Sequence, residues 1–101
     1  MSVEDVKRFR DQLLDSQWPV CDRLAETLAH IGGESAKAAL IEGLRARRYH
    51  IRTACIRALM SFRDLALRPE FEHLLGDPAY DTRNEAGRAL RFLDSLRGEG
   101  E

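Results

Sequence analysis

Ile51-Arg52-Thr53-Ala54-Cys55-Ile56-Arg57-Ala58-Leu59-Met60-Ser61-Phe62 is followed, 31 residues on, by Thr82-Arg83-Asn84-Glu85-Ala86-Gly87-Arg88-Ala89-Leu90-Arg91-Phe92-Leu93. Both stretches carry mostly apolar side chains at their first, fifth, ninth and twelfth positions, a spacing that lines up one stripe of a helix. Both also carry Arg at the second position. The same interval runs backward to Val20, Leu24, Leu28 and Ile31. It links Phe9 with Leu40 and Phe71, and Leu13 with Leu44 and Leu75. Each copy therefore holds two helical stripes, neither of which can bury its apolar face alone. A fixed period of this size marks a solenoid, in which each unit covers the next. The predicted fold is all-α: a right-handed α-α superhelix of three helix pairs, six helices in all.

Chain punctuation sets the boundaries. Asp15-Ser16-Gln17 interrupts the first stripe, and Pro19 suits the first turn of a second helix, where its missing N–H costs nothing. Gly32-Gly33 closes that helix. Gly76-Asp77-Pro78 is a turn signal inside the third copy. A single domain over residues 1–101 follows, with copies at about 3–32, 33–63 and 64–96 and a frayed tail at 97–101.

The net charge of −1 argues against a wholly basic nucleic-acid binder. The distribution is uneven: −3 over residues 1–44, +6 over 45–68 and −4 over 69–101. No run approaches the roughly 18 apolar residues that span a membrane. The acidic start, Met1-Ser2-Val3-Glu4-Asp5, lacks the apolar core of a secretory leader, so a cytoplasmic location is expected. Cys55 falls in a core column and reads as a small buried hydrophobe, whereas Cys21 lies one column off and is expected to be partly exposed. Neither has metal-site spacing, and no cofactor or metal is expected.

With these residues in place, the chain resembles the HEAT repeat, in the short bacterial form also found in phycobilin lyases. The second helix of that repeat reads roughly V-R-x-x-A-x-x-A-L-x-x-I. The second copy matches it with Ile51-Arg52, Cys55, Ala58-Leu59 and Phe62, and the third with Thr82-Arg83, Ala86, Ala89-Leu90 and Leu93. The first keeps Val20, Leu24, Leu28 and Ile31 but has Cys21 in the Arg column. The resemblance implies a ladder between copies, built from a turn Asp and this Arg. Asp15 and Asp77 stand in the Asp column, with Ala46 replacing it in the second copy, and Arg52 and Arg83 stand in the Arg column. A structural ladder is the favoured role of these Arg residues, and ligand binding is the alternative.

The resemblance also implies that the second helices line a concave face. Its non-core positions include Glu26, Ile56, Arg57, Met60, Arg88 and Arg91. Ile56 and Met60 would floor a shallow groove with an Arg rim and Glu26 at one end, suited to an amphipathic helix or an acidic segment. Equally, Ile56 and Met60 could pack under Arg stems. Arg45, Arg47, Arg48 and Arg52 form a basic run that invites phosphate or an acidic partner, although the acidic flanking copies break the stripe a duplex would need. Trp18 reads as a staple against the neighbouring copy, with an interface anchor as the alternative.

No catalytic constellation emerges. His30, His50 and His73 have no HExxH spacing, and no nucleophile has an obvious base. The expected function is non-enzymatic: a small cytosolic adaptor or scaffold binding a partner protein segment on its concave face. A nucleic-acid-binding module using the 45–57 patch and an accessory subunit of a lyase-type enzyme are the alternatives. Phe92 and Leu96 have no following copy to cover them, so a homodimer through the C-terminal helix, or docking on a larger partner, is expected as well.

Overall fold

In the computed structural model, which describes residues 3–99, the apolar stripes become six α-helices. They are α1 (Val3–Leu14), α2 (Val20–Ile31), α3 (Gly33–Gly43), α4 (Tyr49–Leu59), α5 (Arg68–His73) and α6 (Tyr80–Glu99). Short 3-10 turns extend α4 through Met60–Phe62 and flank α5 at Leu65–Leu67 and Leu74–Gly76. The helices pair as α1 with α2, α3 with α4 and α5 with α6. Successive second helices pack side by side, α2 on α4 and α4 on α6, while α1 packs on α3. The stack measures 38 × 30 × 18 Å.

Backbone geometry explains the tight joints. Gly32 and Gly33 have φ of 70° and 81°, values that side chains disfavour, so α3 can start at once after α2. Pro69 sits in the first turn of α5. The Asp64 carboxylate accepts from the Ala66 N–H at 2.9 Å and caps the turn that opens the third copy. The same carboxylate holds Lys37 Nζ at 2.6 Å, tying α3 to the third copy.

The core is continuous, with Leu13, Leu28, Leu40, Ile51, Leu59, Phe71 and Leu93 at or below 1% exposure. Two core columns are corrected by the packing. The 31-residue interval holds between α4 and α6, where Ile51 matches Thr82 and Cys55 matches Ala86. At the start of α2 the buried residue is Cys21, 30 before Ile51, whereas Leu28 and Leu59 further along, both fully buried, keep the 31-residue interval. One residue of slip turns a helix by about 100°. Val20 is therefore 52% exposed, and Cys21, expected near the surface, is wholly buried. Both alignments put apolar residues in register, so the columns alone do not distinguish them.

Leu75 is the second correction. Leu13 reaches the next copy, its Cδ2 lying 3.6 Å from where a Cβ on Gly43 would be. The third copy has no such neighbour among the described residues, so Leu75 is 47% exposed while Leu74 turns inward. Phe92 and Leu96, expected to be bare, are half-buried against the core, with the Arg63 guanidinium 6.0 Å from the Phe92 ring. Arg97–Glu99, expected to fray, continue α6, and residues 100–101 lie outside the described residues.

Burial pushes the Cys55 thiol up to about 12 and also raises that of Cys21. Thiolate is the reactive form. At pH 8 the native protein should therefore resist iodoacetamide, and both cysteines should alkylate rapidly in urea. Rapid labelling of either thiol in the native state would contradict the packing.

Candidate partner-binding surface

Every second helix presents one flank to solvent beside its buried stripe. On α2 that flank carries Asp22, Glu26 and Ala29, on α4 Thr53, Arg57 and Ala58, and on α6 Asp81, Asn84 and Glu85. The flanks form two adjoining depressions that share Asp22 and Arg57. The first, of about 480 Å³, lies between α2 and α4 over a floor of Ala29, Ala54 and Ala58. The second, of about 450 Å³, continues toward α6 and has Trp18 and His50 at its edge.

Arg57 sits at their junction. Its Nη1 is 3.5 Å from Asp22 Oδ1 and its Nη2 is 3.3 Å from Glu85 Oε1. Glu85 is 5% exposed, so the guanidinium compensates a carboxylate that would otherwise be buried alone. Beneath it the Thr53 and Thr82 hydroxyls share a hydrogen bond of 3.0 Å between α4 and α6. Asp22, Glu26, Asp81 and Glu85 thus face a single guanidinium, and the lining is acidic.

Several expected site residues lie elsewhere. Ile56 has no exposed surface and belongs to the core. Met60 is half-buried against that core. Arg88 and Arg91 are exposed on α6 but line neither depression, so the Arg rim is absent there. Glu26 and Arg57 are where they were expected. Trp18 meets the next copy through the His50 ring, 6.4 Å away centre to centre, but stays 63% exposed.

The basic run is largely consumed by the fold. Arg52 points its Nε and Nη2 at the two Asp77 oxygens, at 2.8 and 2.9 Å. Its Nη1 donates to the Ala46 and Arg47 carbonyls at 2.8 and 2.9 Å. Arg48 donates to the Ser16 carbonyl at 3.1 Å, and Arg45 lies 3.4 Å from Glu70. Only Arg47 of the four has no side-chain bond among the described residues.

The expected ladder is therefore present at one rung. Burial alone would push the Asp77 carboxyl up. The Arg52 hydrogen bonds, the Ala79 N–H and the charges of Arg52 and Arg83 outweigh it and hold the carboxyl below the usual range. The rung between the first two copies lacks both members at once, since Cys21 and Ala46 replace the Arg and the Asp.

Helix pairs repeated at one interval and stapled turn to turn by an Arg–carboxylate fork define an all-α helical-repeat solenoid. The sequence pattern of HEAT repeats matches residues 6–91, and the chain belongs to that family. The match is to HEAT repeats at large and does not distinguish the short bacterial form from others. No curated protein matches the sequence. Among the described residues, no helix is long and apolar enough to cross a membrane.

Proposed function

We propose that this chain is a cytosolic adaptor whose α2–α4–α6 face binds a basic, amphipathic segment of another protein. The observation that carries this reading is the lining: four carboxylates around one guanidinium that two of them already hold. The acidic partner expected from the sequence would meet like charge there. A segment bearing Lys or Arg would find Glu26 and Asp81, which have no ion-pair partner among the described residues. The alanine floor admits apolar side chains from the same segment. Trp18, bulky and exposed at one edge, suits an anchoring role. HEAT repeats commonly serve as protein-interaction scaffolds, which agrees with this use of the face.

The test is affinity capture from the native cell, followed by binding of the captured protein's basic segment as a peptide. Glu26→Lys should weaken that peptide about tenfold or more, because it reverses a charge on the groove wall. Glu26 is exposed and bonds nothing, so the fold should be untouched. A partner whose affinity ignores Glu26→Lys, or whose contacting segment is acidic, would overturn the reading. Binding to nucleic acid that is lost on Arg47→Glu would do the same.

A further inference from the structure

We propose that a second copy of this chain stacks head to tail on the first, with Arg83 of one molecule gripping Asp15 of the next. The rung inside the chain shows the required bond. Arg52 uses Nη1 to tie down the carbonyls six and five residues before it, which leaves Nε and Nη2 aimed at the next copy's Asp77. Arg83 repeats the first half of this arrangement. Its Nη1 donates to the carbonyls of Asp77 and Pro78, again six and five residues back, at 2.8 and 3.0 Å. Its Nε and Nη2 have no partner among the described residues. At the other end of the stack, Asp15 is the first residue after α1, as Asp77 is the first after the turn that closes α5. The Asp15 carboxylate is exposed and likewise without a partner among the described residues. One molecule therefore carries both halves of a bond it already makes internally, one half at each end.

Apolar surface accompanies both halves. Val20 and Leu24 line a shallow hollow together with Asp11 and Asp15 at the first copy. Leu75 and Tyr80 are exposed on the third copy, and the Arg83 guanidinium lies 5.9 Å from the Tyr80 ring centre. Leu75 is the column-mate of Leu13 and Leu44, which are buried. The contact joins unlike surfaces, so it builds open rows or rings and not the symmetric dimer through α6 that the sequence suggested. Both end copies are net negative, which opposes approach and makes the association weak.

Sedimentation equilibrium up to millimolar concentration tests this. The unmodified protein should form species larger than a dimer as concentration rises. Asp15→Arg and Arg83→Glu should each weaken self-association about tenfold or more, and an equimolar mixture of the two should restore it, since each reversed end meets its complement. Circular dichroism checks that Arg83→Glu folds after losing its carbonyl bonds. If it does not, Asp15→Arg decides alone. In a Glu26→Lys background, Asp15→Arg and Arg83→Glu should still each weaken association about tenfold, which separates this contact from the groove. A protein that stays monomeric throughout, association indifferent to Asp15→Arg, or a mixture of folded variants that fails to recover would overturn the proposal.

Discussion

Replacing Arg52 with Ala should destabilise the protein by about 3–5 kcal/mol, the usual cost of removing one partner from a buried ion pair. The Arg52 and Asp77 side chains are only 13% and 5% exposed, so water cannot replace the lost fork. Four hydrogen bonds go with the guanidinium: two to the carboxylate and two to the carbonyls that shape the α3–α4 turn. A small domain has a stability near the low end of about 5–15 kcal/mol, so the variant should be largely unfolded or close to it. Arg52→Lys keeps the charge but loses the two-pronged geometry, and should recover only part of the loss. Urea denaturation measures both. By contrast, removing the exposed Arg8–Asp5 pair should cost less than about 1 kcal/mol. A loss that small for Arg52→Ala would show that the rung does not hold the second and third copies together.

The same rung gives the protein its acid sensitivity. Asp77 and Asp64 are both held below the ordinary carboxylate range. For Asp64 the Lys37 hydrogen bond is the largest cause, and the Ala66 N–H adds to it. A carboxyl depressed in the folded state stabilises it fully above the unfolded value, near pH 4. That contribution fades as pH falls through the lower, folded value. Stability should therefore drop between about pH 5 and pH 2. The drop should be shallower in Asp64→Asn, which removes one of the two depressed groups.

Gly43→Ala should cost about 1–3 kcal/mol, although Ala is the better helix former. A Cβ built on Gly43 would lie 2.3 Å from the Cys55 sulfur, closer than packed atoms come. Gly43 is thus the point where α3 and α4 touch almost backbone to side chain. Cys55→Ala removes the obstructing atom. Alone it should cost stability, because a buried sulfur leaves a void. Combined with Gly43→Ala, it should give a protein more stable than the sum of the two losses predicts, a favourable coupling between residues in contact. Strict additivity would mean that α3 and α4 separate freely. The sequence marks Gly43 only as a glycine near a helix end. That it faces a core cysteine follows from how the two helices cross.

The candidate surface was legible at Glu26 and Arg57 and misread at Ile56. A single-stripe reading puts Ile56 on the wet side, next to Cys55 in the core column. In the fold, α4 packs against α2 on one side, α6 on the other and α3 behind, so it buries a broad arc that includes Ala54 and Ile56. The one available signal was the crowding of Ile51, Ala54, Cys55, Ile56, Ala58 and Leu59 around most of the helix. The sign of the surface was misread for a related reason. Arg charges counted along the chain exceed those free in space, because Arg52 and Arg57 are already held by Asp77, Asp22 and Glu85.

The order of helices, their approximate ends and the family belong to the sequence. A 31-residue interval of apolar stripes has no lower-energy use than stacking, and any neighbour-covering arrangement satisfies it. The exposure of Val20 at the start of α2, the burial of Cys21 and Ile56, the exposure of Leu75 and the acidic lining around Arg57 belong to the tertiary structure. Each depends on which neighbours a helix has and on which carboxylate a guanidinium reaches across 25 or more residues of chain. Those are properties of packing in space, to which a one-dimensional period is blind.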